Sequence, residues 1–116
     1  MLKFSLTHPE ILAALGSMGH GSQVLIADGN FPFETHTNPD AARVYLNLRP
    51  GLVSATDVLA ALADAIPVEA AHVMQPADGS TPEIFDEFIT LLPGQALQRL
   101  ERFAFYEAAQ QPEVGL

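Results

Sequence analysis

The sequence predicts an α/β fold, a single domain in which a central sheet is flanked by helices. Stretches with apolar residues at helical spacing alternate with short aliphatic runs such as Val24-Leu25-Ile26-Ala27 and Ala71-His72-Val73-Met74. The helical stretches carry their own start and stop signals, with hydroxyl or acidic residues and proline before them and glycine after. The composition agrees. Of 116 residues, 48% are hydrophobic, enough for one core, and only 16% are charged, too few for a disordered chain.

Thr7-His8-Pro9-Glu10 reads as a capping box, with Thr7 as the cap and proline in the first turn. Ile11, Leu12, Leu15 and Met18 then share one helical face, and Gly16, Gly19 and Gly21 close the helix. Val24 to Ala27, stopped by Gly29-Asn30, predicts a buried strand, and the alternation in Arg43-Val44-Tyr45-Leu46 predicts a second. The polar, proline-containing loop from Gly29 to Ala41 is the expected mobile element. Ser54 to Ile66 predicts a helix capped by Ser54 or Thr56, with Val58, Leu59, Leu62 and Ile66 inward. Ala71 to Met74 predicts a third strand. Thr81-Pro82-Glu83 opens a helix with Ile84, Phe85, Phe88, Ile89 and Leu92 inward, stopped by Pro93-Gly94. Leu97 to Arg102 fits strand or helix, and Phe103 to Gln110 fits helix. No repeat or linker divides the chain, so residues 1–116 are expected to form one domain.

Charge and composition exclude several functions. Five basic residues against fourteen acidic ones give a formal net charge of −9, which repels phosphate backbones and anionic lipid. Nucleic acid and membrane are therefore not expected partners. The absence of cysteine removes disulfides, thiol catalysis and thiolate metal sites. No apolar run approaches the roughly 20 residues of a bilayer span, and the first residues do not resemble a signal peptide, so a cytoplasmic protein is expected.

The chemistry is concentrated in LGSMGHGSQVLIADGNFPF, residues 15–33. His20 sits between two glycines, and Asp28 ends the aliphatic run, where ligands meet strands of α/β sheets. A histidine exchanges protons near neutral pH, and a nearby carboxylate orients its ring and favours the charged form. His20 and Asp28 thus read as an acid/base pair. The competing reading is purely structural: His20 at a helix C-terminus and Asp28-Gly29-Asn30 as a turn. His20, Asp28 and His36 match no standard metal-ligand spacing. His8 is expected in the first helical turn, and His72 as a partly buried strand residue.

MGHGSQVLIADGNFP together with RLERFAFYEAA resembles the RbsD/FucU family of sugar mutarotases, on the side of its L-fucose mutarotase branch rather than that of D-ribose pyranase. GLVSATDVLAAL is similar to the family's Gly-Leu-x-x-x-x-Leu-Leu helix, and the likeness spans most of residues 8–110. The resemblance implies a cofactor-free isomerase, with no metal, interconverting sugar anomers. It makes His20 the proton donor and gives sugar binding to Asp28 and Arg102, with Glu69 and Met74 at positions where the fucose branch contacts sugar. Tyr106 is a pocket wall by the same likeness. The family's assembly implies a homo-oligomeric ring, often a decamer, with sites between subunits.

The chain departs from the family pattern in two respects. It ends at EAAQQPEVGL, without the further strand, the Tyr-x-Asn segment and the final apolar strand of the family, and so reads as truncated at the C-terminus. It also has Pro50 where the family usually has aspartate before Gly51. The expected function is a mutarotase acting on L-fucose or a related sugar, ribose included. The alternative is a non-catalytic sugar-binding or regulatory homologue, motivated by the missing Tyr-x-Asn segment. A third reading, an oligomeric structural protein without ligand, follows from the low charge density alone.

Overall fold

The computed structural model describes residues 1–116. Helix α1 (Pro9–Gly16) starts from an extended His8, whose Nδ1 accepts the Ile11 amide at 3.5 Å. The cap is therefore His8, not Thr7. Pro9 explains the shift, because its fixed φ suits the first helical position and leaves residue 8 as the flanking one. Helix α2 (Ala55–Ala65) begins as expected, with a reciprocal capping box. Ser54 Oγ accepts the Asp57 amide at 3.1 Å, and Asp57 Oδ2 accepts the Ser54 amide at 3.0 Å.

Strand β1 (Ala71–Met74), helix α3 (Ile84–Leu91) and strand β2 (Leu97–Leu100) form a parallel crossover unit. Parallel strands need a long connection, and α3 supplies it. Ala71 lies opposite Leu97 and Met74 opposite Leu100, which makes the ambiguous stretch after Gln95 a strand. Helix α4 (Arg102–Ala109) is capped by Glu101, whose carboxylate accepts the Phe103 and Ala104 amides at 3.1 and 2.7 Å. The α/β class is borne out: a two-stranded sheet with four helices.

The two other expected strands do not form ladders. Residues 23–25 run beside the C-terminal stretch, with the Gln23 amide on the Glu113 carbonyl at 2.8 Å and the Leu25 amide on the Leu116 carbonyl at 2.7 Å. Only an isolated parallel bridge, Gln23 to Val114, results. Residues 43–46 have no ladder partner at all; the nearest backbone bond joins the Ala42 amide to the Gly115 carbonyl at 3.0 Å. Their apolar side chains nevertheless pack inward. Val24, Ile26, Val44 and Leu46 all lie against a core of Leu6, Ile11 and Leu62. Hydrophobic pattern sets which side chains turn inward, whereas a ladder also needs a neighbour of matching length.

Two smaller expectations are corrected. Ile89 is 48% exposed although it shares the periodicity of α3, and Phe85 is the one buried residue within that helix. His72 is exposed on β1, where Val73 is the buried residue. The loop from Gly29 to Ala41 is tied down by Asn38, which is buried, donates from Nδ2 to the Val114 carbonyl at 2.8 Å and sends its amide to the Ala109 carbonyl at 3.0 Å.

Candidate functional site

His20 stands on the turn that follows α1. The Ser22 amide donates to the Gly19 carbonyl at 3.0 Å, and the Gly19 amide returns a bond to Ser22 Oγ at 3.1 Å. Gly21 closes the turn at φ +82°, a left-handed conformation that side-chain-bearing residues resist. The two glycines thus put His20 on a short, tight projection. Its ring is 91% exposed, and Nδ1 lies 2.7 Å from Oε1 of Glu69, itself 55% exposed. Glu69 comes from the segment joining α2 to β1. That segment is held from the other side, where Gln95 Nε2 donates to the Val68 carbonyl at 2.8 Å. An exposed ion pair of this kind adds at most about 1 kcal/mol to stability.

His20, Glu69 and His72 are the titratable members of the lining of a mostly apolar cavity of about 850 Å³, whose walls include Leu25, Phe88 and Phe105. A site that is mainly apolar with a few polar groups is the usual form of a small-molecule pocket.

Asp28 belongs to a second group. Its Oδ1 accepts the Asn30 and Phe31 amides at 2.9 and 3.0 Å, an Asx turn that leaves Oδ2 without a protein partner. The turn delivers the Phe31 ring edge-on to Phe105 and Tyr106, at centroid distances of 5.9 and 5.5 Å. Tyr106 also meets the His36 ring at 4.9 Å, and His36 Nδ1 pairs with Thr35 Oγ1 at 2.8 Å. Nearby, the Tyr45 hydroxyl donates to Glu34 at 2.6 Å, and that carboxylate pushes the phenol above its ordinary value.

The structure therefore joins His20 to Glu69, and Asp28 through Phe31 to Tyr106. No hydrogen bond or ion pair links the two groups. The carboxylate on His20 is Glu69, not the Asp28 that sequence spacing suggested. Arg102 is exposed as the first residue of α4, and Met74 is half-buried at the end of β1. His20, Asp28 and His36 do not come together as a metal-ligating cluster. Spacing could not have paired His20 with Glu69, since 49 residues separate them.

The sequence model of the RbsD / FucU transport protein family matches residues 1–114. A fucose mutarotase from Danio rerio is 33% identical over 119 residues, taking in 91% of this chain and 75% of the relative. A D-ribose pyranase from Paracidovorax citrulli is 33% identical over 86 residues, taking in 71% of this chain and 63% of the relative. No solved structure matches the chain. No helix is long and apolar enough to cross a membrane.

Proposed function

The chain belongs to the RbsD/FucU family, and from that premise we propose that it is a sugar mutarotase interconverting the α and β anomers of L-fucose or a related monosaccharide such as ribose. The two relatives named for fucose mutarotation and ribose pyranase activity support the reaction class. The observation that carries the reading is a projecting His20, paired with a carboxylate at 2.7 Å, on the lining of an apolar cavity. Those are the parts the chemistry needs.

Ring opening of a cyclic hemiacetal breaks the bond between the anomeric carbon and the ring oxygen. The ring oxygen gains a proton, the anomeric hydroxyl loses one, and a carbonyl forms. Closure on the opposite face reverses each step, so protons and electrons balance without any external reagent. In this reading His20 delivers the proton to the ring oxygen and recovers it on closure, while solvent water takes the anomeric hydroxyl proton on opening and returns it on closure; the histidine contributes about 10²–10⁴-fold. Asp28 Oδ2, free of protein partners, accepts a sugar hydroxyl. Arg102 donates to another, while Tyr106 and Met74, which lie outside the lining of the His20 cavity in the single chain, contact the sugar by the family likeness. Residues 1–116 act as one functional domain, in a cytoplasmic homo-oligomeric ring of the decameric kind.

Magnetisation exchange between α and β anomers, read by proton NMR with micromolar protein, tests the proposal. Accelerated exchange on L-fucose or D-ribose is the expected result. Sugar resonances that shift or broaden on binding while exchange stays at the buffer rate would identify a non-catalytic sugar binder instead.

A further inference from the structure

We infer that Glu69 acts on His20, holding Nδ1 in its protonated form so that Nε2 is the atom that exchanges protons with substrate. The inference rests on the reading of His20 as the proton donor. It starts from the 2.7 Å contact between Nδ1 and Oε1. An ionised carboxylate is an acceptor only, so the hydrogen between the two atoms belongs to Nδ1. When one imidazole nitrogen is fixed as a donor, the other carries the lone pair of the neutral ring and the labile proton of the charged ring.

Nothing else in the chain holds this ring. The contact with Glu69 is the one hydrogen bond its nitrogens make, and at 91% exposure no packing restrains it. Gly19 and Gly21 on either side present no side chain against it. Without Glu69 the ring rotates freely and either nitrogen carries the proton. With it, both the tautomer and the direction of Nε2 are set. Glu69 is itself held in place, because the neighbouring Val68 carbonyl is bonded to Gln95 across the turn between α3 and β2. Glu69 is thus a positioning residue, and its effect belongs to the proton-transfer step more than to binding.

The test is long-range ¹H–¹⁵N NMR of the imidazole rings in the full chain, at a pH where His20 is neutral, with its signals assigned by their loss in His20→Ala. The expected wild-type pattern is a proton on Nδ1 and a bare Nε2. In Glu69→Ala the proton spreads over both nitrogens, so the Nδ1–H form loses its dominance, and anomer exchange at saturating sugar falls about tenfold to a hundredfold while KM changes less. Glu69→Gln keeps a carbonyl acceptor, so it retains the Nδ1–H form and recovers part of the lost rate. A wild-type ring protonated on Nε2, or a Glu69→Ala variant that changes KM with the tautomer unaltered, overturns the inference. A wild type inactive on every sugar, whose tautomer still depends on Glu69, sinks the mutarotase reading and leaves the hold of Glu69 on the ring standing.

Discussion

At the scale of single residues, exposure decides what a substitution reports. The His20 side chain is 91% exposed, so its removal leaves no cavity and unfolds nothing. His20→Ala is expected to slow anomer exchange at least about a hundredfold with the size of the assembly unchanged, measured by NMR exchange and size-exclusion chromatography. Loss of assembly with full activity per folded chain would assign His20 to structure instead. Asp28 has two tasks on two oxygens, since Oδ1 holds the turn and Oδ2 has no protein partner. Asp28→Asn keeps an acceptor for the turn and loses the charge. The expected outcome is an unchanged circular dichroism spectrum with sugar affinity weakened about tenfold, the worth of a hydrogen bond to a charged group. Titration calorimetry distinguishes that from an unaltered affinity, which would remove Asp28 from the site.

At the scale of elements, helix ends carry most of the specific polar structure. The carboxyl of Asp57 is lowered below its usual range chiefly by the Ser54 amide, and that of Asp64 by the Ser5 amide bonded to it at 2.7 Å. A carboxylate whose folded-state pKa lies below its unfolded value binds fewer protons when folded. Its stabilisation is fully present above the unfolded value, about 3.9, and is lost as pH falls through the lower folded value. Denaturant midpoints are therefore expected to decline below about pH 4 and to be flat with respect to these groups near neutrality. Ser54→Ala removes the cap acceptor but keeps the amide that chiefly lowers Asp57, whereas Asp57→Asn removes the titrating carboxylate itself. The first should cost about 1 kcal/mol at pH 7, and the second should shrink the acid-dependent decline. A midpoint that depends on acid as strongly in Asp57→Asn as in the wild type would show that the capping box does not carry the linkage.

At the scale of the whole molecule, the isolated chain buries little. Nine of its 116 residues are buried, while Tyr45, Leu48, Leu52 and Val53, clustered in one stretch, are each 39% or more exposed. An apolar stretch of that kind on one chain suits a contact with further copies, as the proposed ring requires. Replacing Leu48 and Leu52 with lysine is expected to lower the sedimentation coefficient toward that of a monomer with the helical signal kept. An assembly indifferent to both charges would move the subunit contact elsewhere on the surface.

The parts of this protein written in the sequence are those whose physics is local. The cap at Ser54 and the Asp57 it pairs with lie within four residues, the stop at Gly94 needs only its own φ of +83°, and the glycines around His20 shape a single turn. Each was legible because the interacting groups are neighbours along the chain. The inward direction of Val24, Ile26, Val44 and Leu46 was legible too, since burial follows pattern. What tertiary structure alone decided is non-local. Whether an aliphatic run becomes a strand depends on a partner stretch of matching length, which β1 finds in β2 and residues 43–46 do not find at all. Which carboxylate meets His20 depends on the path of the chain through α2, and that path delivers Glu69 across 49 residues while Asp28, eight residues away, turns its oxygen to its own backbone.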